Sequence, residues 1–229
     1  PNRFMEYHYP QLQKSPVLGG IWTLYSPEEF DIIEAMKTAI DHIPWDALKD
    51  YEIILGLEGM RNVKDARTLQ RLYDLGVRHA MLTWNEDNHF AGGAKGNQMQ
   101  GLTDKGKEVL DFMIEHDMII DVSHLNEVSF FDVLAYTNKN IIASHNNIKN
   151  LCEHPRNLTD TQLQALKDAN GLLGLTLAGS FITKEKEDRT LQQFLAHVQY
   201  AIHKLGIERV CFGFDFMDYF EEDSFLNLE

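Results

Sequence analysis

Two histidines, His124 and His145, each follow a short apolar run by a few residues, in MIIDVSH from Met118 and IIASH from Ile141. Neutral imidazole suits zinc and neighbouring divalent ions, and a carboxylate added to two histidines makes an open metal site of the catalytic kind. Glu58 is a candidate for that carboxylate. It ends the apolar run EIILGL and precedes Gly59, where an unpaired carboxylate is costly. Asp215, in GFDF, could ligate a second metal or hold a water and shuttle its proton. Arg156, in HPRN, offers a guanidinium fork to a substrate carboxylate. Each residue also has a plainer reading: core or loop histidines, a capping or surface Glu58, a capping Asp215, a surface Arg156. Two histidines at equivalent places, one strand–helix–strand unit apart, tip the balance towards a metal.

The elements that must position these residues follow from the apolar pattern. The segment between the two histidine motifs, LNEVSFFDVLAYTNKN, is long enough for one crossover helix, so the flanking runs form parallel strands with both histidines at their carboxyl ends. Further strands are expected at Val17–Leu24, Glu52–Leu57, His79–Thr83, Gly171–Leu177 and Val210–Phe216. Helices are expected from a capping box at Ser26-Pro27-Glu28-Glu29, over Ala66–Leu75 ending at Gly76, and over Lys107–His116 after Thr103. Two more are expected from the Thr159/Gln162 capping box and over Thr190–Leu205 ending at Gly206. Strands alternating with helices mark an α/β fold, either a barrel or a doubly wound sheet. No GxGxxG follows the first strand, which disfavours a dinucleotide-binding sheet. Polar residues recur instead at strand end after strand end, Glu58, Trp84-Asn85, His124, His145 and Asp215, as a barrel mouth requires. Seven strands are one short of a closed parallel barrel, so the sequence is expected to lack the first strand and the closing helix.

The composition, with 229 residues, 44% hydrophobic and 24% charged, is that of a globular domain. One domain spanning the chain is the default at this length. A net charge of −14 argues against nucleic acid or anionic membranes as partners. The two cysteines, Cys152 and Cys211, form no CxxC pair and fit a reducing cytosol. No apolar run reaches the length of a membrane span. The N-terminal residues lack the apolar core of a signal peptide. Neither Ser123 nor Ser144 lies in GxSxG, so a serine hydrolase has little support. The other histidines, His79 and His197 among them, lack the strand-end context and read as structural or solvated. The tract KEKEDR at Lys184–Arg189 reads as a solvated loop.

With these residues in view, the chain resembles the membrane (renal-type) dipeptidase family of metallopeptidases, and its soluble bacterial members in particular. The matching pieces are LEG at Leu57–Gly59, LTWNEDN at Leu82–Asn88, GLTDKGKEVL at Gly101–Leu110, IIDVSH at Ile119–His124, ASHNN at Ala143–Asn147, HPRNLTD at His154–Asp160 and GFDF at Gly213–Phe216. The resemblance implies a (β/α)8 TIM barrel of the metal-dependent amidohydrolase type with a two-metal zinc centre. It implies that Glu58 bridges the metals, that His124 and His145 hold one of them, and that Asp215 lies by the other and serves the nucleophilic water as acid and base. Arg156 would bind the carboxylate of a small dipeptide. No membrane or nucleic-acid partner is implied, and a homodimer is compatible with the resemblance.

The chain departs from the family pattern in two places. The His-x-Asp pair of the family's first strand is missing, so one metal site keeps its protein ligands and the other only Glu58 and Asp215. Where some members carry a histidine after the Leu-Thr of the third strand, this chain has Trp84 and then Asn85. Either Asn85 donates to the developing oxyanion or that charge is managed differently; both residues are expected at the substrate. The expectation is therefore a zinc-dependent dipeptidase that binds one metal tightly and turns over slowly as this chain alone. Two readings compete with it: a non-catalytic barrel acting as a binding or scaffold protein, and a metal-dependent hydrolase of another amide, ester or lactone.

Overall fold

The computed structural model describes residues 4–25 and 28–215. After a short helical turn, α1 (Tyr9–Leu12), strands and helices alternate: β1 (Gly19–Tyr25), α2 (Ile32–His42), β2 (Glu52–Glu58), α3 (Ala66–Asp74), β3 (Val77–Met81), α4 (Asp104–Glu115) and β4 (Ile119–Asp121). The order continues with α5 (Glu127–Tyr136), β5 (Ile141–Ala143), α6 (Asp160–Asp168), β6 (Leu172–Leu175), α7 (Gly179–Ile182), α8 (Leu191–Leu205) and β7 (Val210–Phe212). Among the described residues seven strands are present, all parallel, and their spatial order is their chain order, β1 through β7. The order of these described strands never reverses, so among them there is no switch-point crevice of the doubly wound kind. Functional groups can instead collect along the whole carboxyl edge.

The register explains how one sheet serves both stability and chemistry. Side chains alternate faces with period two. Leu57, Ala80, Ile120, Ala143 and Leu173 fall on one face and are buried in a continuous core with Leu69 and Leu72 of α3, Val109 and Met113 of α4, and Phe130 of α5. Thr23, Gly56, Glu58, His79 and Asp121 fall on the other. A one-residue slip would exchange the faces and bury the wrong set, so the apolar face fixes where the polar face points.

Local signals set most helix ends. Thr103 Oγ1 accepts from Gly106 N at 3.1 Å at the start of α4, and Thr159 and Gln162 form the expected capping box at α6. α8 buries Phe194, His197, Ala201 and Leu205. His197 Nε2 donates to Ile182 O at 2.9 Å and its Nδ1 accepts from Ile148 N at 3.1 Å, so both ring nitrogens are satisfied. α2 differs from expectation. Ser26 and Pro27 lie outside the described residues, and the helix starts at Ile32, where Asp31 Oδ1 accepts from Ile33 N and Glu34 N. A carboxylate serving two helix-start N–H groups is a strong cap, and Phe30 falls before the helix. β3 runs two residues earlier than the apolar run suggested, because Val77 pairs with Leu55 and His79 with Gly56 across a register shift. β7 ends at Phe212, short of the expected Phe216, which lies outside the described residues.

Candidate metal centre

Glu58 is the last residue of β2, and Thr23 Oγ1 of β1 donates to its Oε2 at 3.5 Å. His124 lies three residues beyond β4 in the left-handed region, φ 68°, a conformation a non-glycine residue keeps only when its surroundings hold it. Here Ala94 N donates to its carbonyl at 2.7 Å and Thr83 Oγ1 at 3.2 Å. His145 lies two residues beyond β5. The Ser144 carbonyl just before it is packed so closely by β6 and the start of GFDF that a Cβ on Gly174 or Gly213 would collide with it.

These placements bring three ligand atoms together, among the described residues, all within 4.8 Å of one another. His124 Nε2 is 2.9 Å from His145 Nε2 and 3.2 Å from Glu58 Oε1, and His145 Nε2 is 3.9 Å from Glu58 Oε1. The point equidistant from the corners of that triangle lies about 2.0 Å from each, the length of a zinc bond to imidazole or carboxylate. The far sides of both rings are held. An amide oxygen only accepts, so His124 Nδ1 carries the proton it donates to Asn85 Oδ1 at 3.0 Å, which leaves the lone pair on Nε2. Ser144 Oγ lies 2.8 Å from His145 Nδ1. Such outer partners are what orient metal-binding histidines.

The electrostatics agree with the donor set. Burial pushes the His145 imidazolium down to about 3 and that of His124 well below its ordinary value, with the Arg156 charge adding to both. Both rings are therefore neutral, the form that ligates. Burial, then the charge of Asp215, pushes Glu58 up to about 7. Two neutral imidazoles and a buried carboxylate that resists ionising form a pocket matched to a divalent cation.

Arg156 lies over the cluster. Its Nη1 is 2.9 Å from His124 Nδ1 and 2.7 Å from Nε2, a position over the ring rather than at either nitrogen's edge, and its Nη2 donates to His145 O at 3.2 Å. Burial lowers its pKa to about 10, so it stays cationic, and its buried Nε has no hydrogen-bond partner. Asp215, at φ 59°, has its carboxyl pushed up by burial against the pull of Arg156. It acts on Glu58 and Arg156 through its charge without joining the three converged atoms. Trp84 stands between Tyr25 (ring centroids 5.2 Å) and His124 (5.8 Å). The Asn85 oxygen is engaged by His124.

Two residues of this region carry no site role in the sequence reading. Asp121, fully buried at the end of β4, bonds His79 Nε2 of β3 through Oδ2 at 2.8 Å. Burial would raise its carboxyl, but the hydrogen bond and charge of His79, with His145 and Ser144 acting in the same direction, together hold it at about 2. The signal was available: an aspartate inside the apolar run MIID needs a buried partner.

An α/β protein with an unbroken parallel sheet and a His/His/carboxylate cluster at its carboxyl edge has the frame of a metal-dependent enzyme. The model of the membrane dipeptidase family (peptidase family M19) matches residues 21–223, and the chain belongs to that family. It is 34% identical over 161 residues to an uncharacterized protein in the pqqA 5' region of Klebsiella pneumoniae, covering 66% of this chain and 59% of that protein. It is 35% identical over 170 residues to the uncharacterized dipeptidase C965.12 of Schizosaccharomyces pombe, covering 72% of this chain and 41% of the relative. The chain thus spans about half the length of these curated relatives. Among solved structures, an amidohydrolase from Pseudomonas aeruginosa superposes with TM-score 0.81 at 21% identity, over 93% of this chain and 71% of that one. A metallo peptidase from Rhodobacter sphaeroides, liganded with a phosphinate mimic of L-Ala-D-Ala, does so with TM-score 0.78 at 22% identity, over 90% and 76%. These two establish a shared fold. Among the described residues no helix is long and apolar enough to cross a membrane.

Proposed function

We propose that the chain is a zinc-dependent dipeptidase, and that its described parallel strands belong to a (β/α)8 barrel. The observation that carries this reading is the convergence of Glu58 Oε1, His124 Nε2 and His145 Nε2 about one point at zinc-bond distance. A divalent ion held there would supply Lewis acidity to water and to the scissile carbonyl. Arg156, cationic and with an unused buried N–H, receives the substrate carboxylate. Asp215, whose carboxyl is raised by burial, takes the proton of the attacking water and returns it to the leaving amine. Trp84 and Tyr25 form an apolar wall beside His124 and exclude water from the substrate. Asn85 orients His124 and offers its amide N–H to the carbonyl oxygen. The two free thiols support a reducing compartment.

Elemental analysis after exhaustive dialysis tests the metal: one tightly held zinc per chain is expected, and none in His145→Ala. Assay of a dipeptide panel beside lactones and esters tests the substrate class. Turnover of esters or lactones alone would replace the dipeptidase reading, and a protein that takes up no metal and cleaves nothing would favour a binding role.

A further inference from the structure

Beneath the three converged ligand atoms lies a buried pair that none of the proposed chemistry uses. Asp121 and His79 are both fully buried. His79 Nε2 donates to Asp121 Oδ2 at 2.8 Å. The other oxygen, Oδ1, accepts from Ser123 N at 2.9 Å and Ser144 N at 3.2 Å. Those two N–H groups belong to different strand ends: Ser123 directly precedes His124, and Ser144 directly precedes His145. One carboxylate oxygen therefore ties together the two segments that carry the histidines.

The rest of the neighbourhood makes this tie rigid. Gly56 of β2 leaves the space the His79 ring fills, and a Cβ there would collide with His79 Nδ1. Beyond Asp121, Ser123 Oγ donates to Asn146 Oδ1 at 2.6 Å, His145 N donates to Ser123 Oγ at 3.3 Å, and Asn146 Nδ2 donates to Arg156 O at 2.7 Å. A continuous chain of bonds thus runs from β3 through the ends of β4 and β5 to the arginine.

We infer that Asp121, clamped by His79, is a positioning residue that sets the spacing of the His124 and His145 imidazoles across two strands. The inference rests on the metal reading of Glu58, His124 and His145. Removing the carboxylate leaves the buried Ser123 N–H and the half-buried Ser144 N–H unpaired and frees the strand ends to separate. Outer partners of metal-binding histidines typically change metal affinity by about 10–100-fold when lost.

The test is Co²⁺ titration of the full chain with a competing chelator, reading affinity and the visible spectrum, beside thermal melts in chelator. Asp121→Ala is expected to weaken Co²⁺ binding about 10–100-fold and to alter the spectrum. Asp121→Asn, whose amide oxygen still accepts from both N–H groups, is expected to keep most of the affinity. Should Asp121→Ala not fold, His79→Leu, which unclamps the carboxylate, takes its place, with His79→Gln as the retaining variant. Wild-type affinity and spectrum in Asp121→Ala or His79→Leu, with only a lowered melt, would overturn the assignment and leave the metal site standing. Equal losses in Asp121→Asn and Asp121→Ala would show a charge effect and overturn it as well. A wild-type chain that takes up no Co²⁺ would remove the metal reading and this inference together.

Discussion

Glu58→Gln keeps the shape of the side chain and removes its ionisation, which isolates what the buried carboxylate does to the metal-free protein. Folding pushes Glu58 up from 4.5 to about 7. Between those values the folded chain holds a proton that the unfolded chain has released, so the contribution of Glu58 to stability is full below pH 4.5 and is lost as pH rises through 7. A rise of roughly 2.5 pH units at about 1.4 kcal/mol each is about 3.5 kcal/mol. In chelator, Glu58→Gln is therefore expected to match the wild type near pH 4.5 and to exceed it by up to about 3.5 kcal/mol at pH 8. His124 and His145 have the opposite sign. Their folded values are depressed, so they lose stability as pH falls below the ordinary histidine range. That slope is common to both proteins and leaves the difference to Glu58. Urea unfolding from pH 4.5 to 8 measures it. Added zinc should then reverse the ranking at pH 8, because only the wild type keeps the carboxylate ligand. A stability difference that stays flat with pH would refute the electrostatic account of Glu58.

Gly213→Ala would drive a Cβ into the Ser144 carbonyl and against His145 Cα. It is expected to cost about 1–3 kcal/mol in urea unfolding and to weaken zinc binding. A melt and zinc affinity equal to wild type would show that β5 can yield there. Zinc at a hundred times its Kd is expected to stabilise the wild type by about 2.7 kcal/mol, seen as a rise in Tm that chelator reverses and that His124→Ala lacks. Arg156→Lys keeps the charge and loses the planar fork. It is expected to raise KM for dipeptides about tenfold or more, with zinc stoichiometry unchanged; an unchanged KM would remove Arg156 from carboxylate recognition.

Much of the candidate site was legible because its parts are local. His124 and His145 follow apolar runs that read as strands, and strand ends gather at one edge of any parallel sheet. Glu58 was legible for the same reason, as a charge at the end of a run with no polar partner in sequence. The parallel class and the alternation of strands and helices followed from period and capping residues, as at Thr103 and Thr159. The start of α2 did not: the capping box at Ser26 suggested an earlier start, whereas α2 begins at Ile32 with Asp31 as its cap and with Ile32, Ile33 and Met36 buried in the core.

What the sequence by itself determined is which residues are available and at which end of the sheet they lie. Tertiary structure decided how their atoms meet. The triangle of Nε2, Nε2 and Oε1 depends on the left-handed turn at His124 and on the tautomer that Asn85 imposes from 39 residues away. The pairing of Asp121 with His79 across 42 residues needs the register shift between β2 and β3 and the room left by Gly56. Such contacts are absent from any local pattern, because they arise only when the apolar face of the sheet has fixed the register and so aimed the polar face.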